Sequence, residues 1–344
     1  MSSLQARSIS RPVQVLRQGC SIEHPFVGRV LGVFDHACDL VTPDGDVIAL
    51  VTPDVSDGPL NIVVDAEPGD FATLWPGLAA TVQEASLHIG QLQVDWLGAR
   101  IWEPCPDWDT LRCYQNNVAS RLRLLQARAG QVQQPTRLPD SFEPAPGCGS
   151  ASDKVGHLFT QRNCTAAWMA GLRQAALDLR AGWDGDLARL QEGATRLAGL
   201  GSGLTPAGDD FLIGVMLWAW LAHSAPCDFC RTIIEAAAPR TTLLSAAFLR
   251  SAARGECSAA WHRWLTVLAS GPDDELDAAT RLVLSYGATS GADTLAGLLW
   301  MADIRRQLAN QLWNFIISPM SPTTLILPDM KALTAFSSPR ATAK

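Results

Sequence analysis

The chain has 344 residues, of which 47% are hydrophobic and 18% are charged. This composition is ordinary for a soluble globular protein, and the length is sufficient for two domains. The formal net charge of −7 argues against a nucleic-acid partner, because binding to a phosphate backbone requires a basic surface. The nine cysteines are dispersed and odd in number, which indicates reduced thiols and a cytoplasmic protein.

The region 1–110 is predicted to be β-rich. Residues 1–10 contain no apolar core of a secretory signal, and we interpret them as a loose end. The apolar segments that follow are short and are separated by Pro, Gly and Asp turns, which favours an antiparallel sheet or a small barrel. The predicted strands cover residues 27–34, 47–51, 61–64, 80–87, 91–96 and 99–102.

After residue 110 the apolar pattern changes to that of helices. Residues 111–152 are predicted to form an amphipathic helix at 111–129 and then a linker rich in Pro, Gly and Ser. Residues 153–317 are predicted to form a helical bundle, and residues 318–344 a loosely ordered tail. The predicted bundle helices cover residues 166–179, 186–197, 211–222, 227–238, 242–254, 259–268, 274–286 and 293–313. The longest apolar run, 211–222, is too short to span a bilayer, which requires roughly 20 residues, so we predict a buried helix and no membrane partner. The predicted fold class is therefore α+β.

A seven-residue pattern, Gly-x-Asp-x-Leu-x-Gly, occurs twice, as GDDFLIG at 208–214 and as GADTLAG at 291–297. The repeat aligns Asp210 with Asp293 and places each aspartate in the first turn of a predicted helix. Helix N-termini present free N–H groups and a partial positive charge, which suits an anion. A carboxylate there can cap its own helix, or it can hold a cation that bridges to an anionic substrate.

The first copy follows a helix-start signature, with Thr205 as N-cap and proline at the first helical position. Gly203 and Gly208 have the spacing of a P-loop, but Asp209 and Asp210 replace the lysine and hydroxyl residue that should follow, so we reject a nucleotide-binding loop. Adjacent helical residues point about 100° apart, so the two carboxylates cannot both face one small ligand. The repeat selects Asp210, and Asp209 is left for the helix dipole or a second ligand.

In the second copy, Ser290 and Asp293 have a spacing that resembles a capping box. Gly214 and Gly297 each lie four residues after the paired aspartate, on the same helix face. Glycine inside a helix costs up to about 1 kcal/mol relative to alanine. A glycine at this place in both copies predicts either close helix contact or room for a ligand.

Asp210 and Asp293 are therefore the candidate catalytic residues, which hold a cation or orient the substrate. The candidate metal is Mg²⁺, bound by Asp209, Asp210 and Asp293, since carboxylates without a His/Cys cluster favour a hard ion. The residues predicted to bind a small anion are Gly203, Thr205, Gly208, Thr289, Ser290, Gly291 and Ser245. The alternative is structural, because Asp and Gly are common at helix starts for reasons of capping and packing.

Cys227 and Cys230 have CxxC spacing. A zinc site would need a second pair or nearby histidines, and a redox motif would need a preceding strand. Because the sequence offers neither, we interpret the pair as structural.

Three blocks resemble the signature segments of the AllH-like family, long catalogued only as a domain of unknown function. They are GLGSGLTPAGDDFLIG at 199–214, TTLLSAAFLRSAARGE at 241–256 and GATSGADTLAGLL at 287–299. The segment GRVLGVFDHACDLVTPDGDVIALV at 28–51 resembles the opening β region of the same family.

The resemblance implies a subunit of oxamate carbamoyltransferase, which converts oxalurate and phosphate into oxamate and carbamoyl phosphate during allantoin and purine-nitrogen breakdown. It also implies two partners, an FdrA-like subunit and a further subunit, and a small anionic substrate. It assigns no catalytic residues, so the candidate site rests on the repeat. Two alternatives remain open: a non-catalytic scaffold or regulatory subunit, and a stand-alone Mg²⁺-dependent hydrolase or lyase of a small amide or carboxylate.

Overall fold

The computed structural model describes residues 2–18, 27–83, 86–115, 117–118, 120–122 and 166–302. The predicted linker, the predicted tail, residues 123–129 of the helix expected at 111–129 and residues 303–313 of the helix expected at 293–313 lie outside these residues. Within them, apart from a short helix at Arg11–Gln18, strands come first and helices follow, so the α+β prediction is confirmed.

Among the described residues, nine strands form one sheet that closes on itself like a barrel. Their order is β5-β4-β3-β2-β6-β7-β8-β1-β9, and an additional pairing of β5 with β1 closes the sheet. Six pairings are antiparallel, whereas β1 with β8, β1 with β9 and β4 with β5 are parallel, so the sheet is mixed. The strands are β1 (Ser2–Ser10), β2 (Val27–Val33), β3 (Ala37–Val41), β4 (Val47–Val51), β5 (Asn61–Val64), β6 (Ala79–Gln83), β7 (Ser86–Ile89), β8 (Leu92–Asp95) and β9 (Arg100–Trp102).

The interpretation of the first ten residues as a loose end was wrong, because β1 pairs with three other strands. Ile9 is 2% exposed and belongs to the core inside the sheet. Ser8 and Ser10 are also buried, and Ser10 donates to the carbonyl of Pro59 at 2.7 Å. Buried serines with satisfied hydroxyls give a strand without an apolar run, which is why the pattern was missed.

The predicted strand 80–87 is in fact two strands, β6 and β7, which pair antiparallel as a hairpin. Strand β3 was not predicted separately, and it lies between β2 and β4 in the sheet. It matters for function because it carries an acidic residue into the interior, as described below.

Eight helices follow in the range 166–302, and each matches a predicted helix to within a few residues where the residues are described. They are α3 (Ala166–Trp183), α4 (Leu187–Leu197), α5 (Ala207–Ala222), α6 (Pro226–Ala237), α7 (Leu243–Ala253), α8 (Ala259–Ser270), α9 (Asp273–Leu284) and α10 (Ser290–Met301). The short helices α1 (Arg11–Gln18) and α2 (Trp108–Cys113) precede them. None of the described helices is both long and apolar enough to cross a membrane.

Helix α5 lies at the centre of the bundle. Val215 and Met216 pack into one apolar cluster, and Leu217 and Leu221 pack into a second. A helix covered on all sides is apolar around its whole circumference, as the sequence of α5 is. The first turn of α5 is therefore held by rigid surroundings.

The sheet contacts the bundle through a small apolar cluster. Val47 and Leu60 of the sheet region pack with Ala247 of α7, and Leu244 and Phe248 flank them. This contact places the sheet beside the starts of α5 and α10, which carry the repeated motif.

Candidate functional site

The two copies of the motif meet where α5 crosses α10. A Cβ atom on Gly214 would overlap the carbonyl of Thr294, and one on Gly297 would overlap the carbonyl of Phe211. Phe211 and Thr294 occupy equivalent positions in the repeat, so the contact is reciprocal. Both glycines are thus explained by close helix contact, one of the two alternatives that the sequence left open.

Gly208 and Gly291 also have equivalent surroundings. A Cβ atom on either would overlap a backbone carbonyl of the preceding helix, α4 or α9. Their N–H groups donate to Leu200 O at 2.8 Å and to Tyr286 O at 3.0 Å. These N–H groups, predicted to bind an anion, are therefore already used within the chain.

The helix starts differ in detail from the predicted caps. Helix α5 has Pro206 at its N-cap and α10 has Thr289, and neither makes a side-chain capping bond. Thr205 precedes the cap, and its Oγ1 lies 2.9 Å from the Oγ of Ser290. The hydroxyls predicted to cap two separate helices instead join the two starts.

Asp209 is fully enclosed by the protein. Its carboxylate accepts from the N–H of Gly199 at 2.9 Å, from Ser245 Oγ at 2.7 Å and from the hydroxyl of Thr241. These bonds tie the loop before α5 to the start of α7. Asp209 and Ser245, both predicted to meet a ligand, are bonded to each other instead.

Asp210 has the opposite surroundings. It is 3% exposed, and its Oδ2 atom has no hydrogen-bond partner among the described residues. Burial raises the pKa of Asp210 to about 7, and the charges of Asp293 and Asp209 add to the rise, whereas hydrogen bonding by Ser290 and Thr205 opposes it. A buried carboxyl with a free oxygen requires an explanation, and a missing ligand is one of the few available.

Asp293 is similar to Asp210 in burial but not in position. It is 4% exposed, its Oδ2 also lacks a partner, and burial raises its pKa to about 6 against hydrogen bonding by Thr289. Thr289 and Gly203 are exposed on the surface. Asp293 does not line the cavity described next.

A cavity of about 350 Å³ lies between the sheet and the bundle. Of the residues predicted for the site, four line it: Thr205, Asp210, Ser290 and Gly291. The other six do not: Gly203, Gly208, Asp209, Ser245, Thr289 and Asp293. The cavity is therefore lined by Thr205 and Asp210 from the region of the first copy and by Ser290 and Gly291 at the start of the second.

Sequence reasoning missed the wall that the sheet provides. Asp39 of β3 lines the cavity, is 5% exposed, and has a pKa raised to about 6 by burial. The available signal was an acidic residue in the middle of the apolar segment ACDLV. It is weak, because nothing in the sequence tells which helix faces that strand.

Tyr286 and Glu256 were also missed. The pKa of Tyr286 is raised to about 12, mainly by burial and further by the charges of Asp39 and Asp210. Glu256 accepts two hydrogen bonds of 2.8 Å from Arg254, so its charge is already paired. Asp39 and Asp210 are thus the cavity carboxyls without a basic partner among the described residues.

No group of three or more His, Cys, Asp or Glu side chains within the described parts of the chain is arranged to hold a metal ion. The assignment of Mg²⁺ remains a prediction. Cys230 is buried in the bundle, where burial raises the pKa of its thiol, whereas Cys227 is exposed. The two thiols are free, and the structural interpretation of the pair stays a prediction.

Comparison with known proteins finds two family models that match the chain. The model of the AllH family N-terminal domain matches residues 5–101, and that of oxamate carbamoyltransferase subunit AllH matches residues 197–302. No curated protein and no solved structure matches the chain. The two matches together cover more than half of the sequence and include both walls of the cavity. The chain therefore belongs to the AllH family, which is described as a subunit of oxamate carbamoyltransferase.

Proposed function

We propose that this chain provides a substrate pocket of an oxamate carbamoyltransferase complex and that Asp210 is its reacting group. The observation behind the proposal is the buried carboxyl of Asp210, which lines the cavity and has one enclosed oxygen, Oδ2, without a hydrogen-bond partner among the described residues. In this proposal the reaction is the phosphorolysis of oxalurate to oxamate and carbamoyl phosphate, as part of allantoin nitrogen breakdown in the cytoplasm.

The chemistry explains why such a carboxyl is useful. A phosphate oxygen attacks the terminal carbamoyl carbon of oxalurate, the bond from that carbon to the internal nitrogen breaks, and oxamate leaves. The leaving nitrogen must gain a proton, and hydrogen phosphate must lose one. A group whose pKa is about 7 can carry that proton at neutral pH, and burial gives Asp210 such a pKa.

The helix starts were predicted to bind the anion through their backbone N–H groups. Since those of Gly208 and Gly291 donate within the chain, we assign the reacting role to the carboxyl alone. The described residues that line the cavity include no Lys, Arg or His. We therefore assign phosphate binding to a partner, either the FdrA-like subunit or the further subunit of the complex.

Magnesium is a second possibility for the same place. Asp210 and Asp293 each have a buried carboxylate oxygen without a partner in the described parts of the chain, and the charge of Asp293 raises the pKa of Asp210. A cation between them would satisfy both oxygens. This alternative requires that a chelator abolish activity and that Mg²⁺ restore it.

The test uses the complex assembled from the chain and its two partner subunits, with carbamoyl phosphate formation as the readout. Asp210→Asn keeps the size of the side chain but removes its proton donor, and we expect kcat to fall at least about 100-fold. The control is Asp228→Asn, since Asp228 is also in the first turn of a helix but is exposed.

Assembly of the complex is measured in parallel by co-purification. Full activity of an assembled Asp210→Asn complex would show that the reacting groups lie elsewhere and that the chain is a scaffold. Activity of the chain without partners would instead support the stand-alone hydrolase or lyase.

A further inference from the structure

The charge of the cavity wall gives information about the ligand beyond the proposed reaction. Asp39, Asp210 and Glu256 line the cavity, and no basic side chain does so among the described residues. Arg254 binds Glu256 through a two-bond fork at 2.8 Å, which neutralises that carboxylate. Asp39 and Asp210 are left as hydrogen-bond acceptors.

These two carboxyls belong to different parts of the molecule. Asp39 projects from β3 of the sheet, and Asp210 from the first turn of α5 in the bundle. Tyr286 lies near both, since both charges act on its phenol. A ligand in the cavity can therefore meet a carboxyl on the sheet side and another on the bundle side.

Such a wall is unfavourable for a free anion. A phosphate or a carboxylate placed there would meet like charge without a compensating cation. N–H groups are the complementary partner, and the Oδ2 atom of Asp210, in a side chain that is 3% exposed, has no donor among the residues that the structure describes. Even a protonated carboxyl accepts an N–H bond through its carbonyl oxygen while it donates its own proton.

The remaining wall is largely apolar. Phe34 lies on the sheet side, and Phe248 and Trp261 lie on the bundle side. Flat apolar surfaces accommodate a planar group whose edges carry the polar atoms. An amide or ureide group has this shape, with its N–H donors in the plane.

We propose that the cavity binds the planar ureide group of the substrate, with its N–H donors directed at Asp210 and Asp39. This inference rests on the proposed function and adds which end of the substrate this chain holds. The carboxylate end of the substrate and the phosphate are bound outside the acidic part of the cavity. Specificity at this site is then for N–H donors and not for negative charge.

The sharpest probe is N-acetylurea, in which a methyl group replaces the carboxylate of oxalurate and the ureide is unchanged. Inorganic phosphate and oxalate are the converse probes, since they carry negative charge and no ureide. We expect N-acetylurea and oxalurate to bind the purified full-length chain in calorimetric titration, and phosphate and oxalate not to bind. Asp210→Asn and Asp39→Asn should each weaken N-acetylurea binding at least tenfold, and Asp228→Asn should not change it.

Kinetics of the assembled complex provide a second measurement, which does not depend on the variants being folded. N-acetylurea should inhibit competitively against oxalurate and should not compete with phosphate. The inference is overturned if phosphate or oxalate binds the chain and N-acetylurea does not, or if both Asn variants, shown to be folded, bind N-acetylurea as the wild type does.

Two results separate the reacting role of Asp210 from the ureide pocket. Activity that depends on Asp210, combined with no binding or inhibition by N-acetylurea, removes this inference alone. Binding of N-acetylurea to the chain, combined with full activity of the Asp210→Asn complex, removes the proposed reacting role of Asp210 and leaves the ureide pocket.

Discussion

The starts of α5 and α10 have the same sequence pattern and the same packing, but only one of them faces the cavity with its aspartate. Gly214 and Gly297 make reciprocal contacts at the crossing, whereas Asp210 lines the cavity and Asp293 does not. The repeat therefore encodes two properties. The glycines fix how two helices cross, and the acidic residues acquire their roles from what lies next to each start.

The residue before each aspartate accounts for part of this difference. In the first copy it is Asp209, which three donors hold in the interior, and in the second it is Ala292. Asp209 fixes the start of α5 against the start of α7. The start of α10 has no equivalent carboxylate and is held by the Thr205–Ser290 contact, by the Gly291 N–H bond to Tyr286 O and by the crossing with α5.

The largest loss of stability is expected from substitutions at the crossing of α5 and α10. Gly214→Ala and Gly297→Ala each place a methyl group into the backbone of the opposite helix, so the helices must separate. We expect the free energy of unfolding to fall by about 4 kcal/mol or more. Ordinary overpacking of a core costs less, roughly 1–3 kcal/mol. Urea unfolding followed by circular dichroism measures it.

Gly203→Ala is the control for the glycine variants. Its Cβ would meet no atom within 4 Å, but its φ of +106° is unfavourable for alanine. The expected cost is about 1 kcal/mol, from backbone strain alone. Equal losses for Gly203→Ala and Gly214→Ala would contradict the reciprocal crossing.

The second prediction contrasts two adjacent residues with the same substitution. Asp209→Asn replaces an acceptor of three hydrogen bonds by a group that also donates, and we expect a loss of about 2–3 kcal/mol. Asp210→Asn removes the buried charge of a carboxylate that has one oxygen without a partner among the described residues. We expect the free energy of unfolding to rise by on the order of 3 kcal/mol at pH 8.

Both variants are compared with the wild type by urea unfolding at pH 8. Opposite signs would support a structural role for Asp209 and a ligand-binding role for Asp210. A loss of stability in Asp210→Asn would mean that the hydrogen bonds from Ser290 and Thr205 outweigh the cost of burying the charge, and the free oxygen would no longer indicate a ligand.

Much of the fold was predictable because the apolar periods are clear. The eight bundle helices and strands such as β4 (Val47–Val51) and β5 (Asn61–Val64) have the expected residues. Strand β1 was not predictable in this way, since its buried serines hide the alternation. The parallel pairings of β1 and the closure of the sheet depend on contacts distant in sequence, which local patterns do not encode.

Part of the cavity wall was predictable where the sequence repeats itself. The repeat singled out Asp210, and its first turn is buried beside the cavity as expected for a ligand site. It could not distinguish Gly208, which packs against a helix, from a glycine that admits a ligand. It could not reveal Asp39 either, because that residue reaches the cavity only through the packing of the sheet on the bundle.

The smallest expected effect compares Asp293 with Asp210 through pH. For each, the folded pKa lies above the ordinary value of 3.8, so its contribution to stability is full below about pH 4 and is lost as pH rises through the folded pKa. Asp293→Asn should therefore equal the wild type near pH 3 and exceed it by about 2 kcal/mol at pH 8.

The gain in stability over the wild type, followed against pH, should stop increasing at a different pH in Asp293→Asn and in Asp210→Asn. For Asp293→Asn it should level off near pH 6, and for Asp210→Asn near pH 7, since the charges of Asp293 and Asp209 add to burial only at Asp210. Thermal unfolding at intervals of half a pH unit resolves this difference. In the double variant the gain should be smaller than the sum of the two, because the charge of Asp293 raises the pKa of Asp210 and its removal lowers that pKa. Additive gains would mean that the two charges do not interact, and a cation shared by Asp210 and Asp293 would then lose its physical basis.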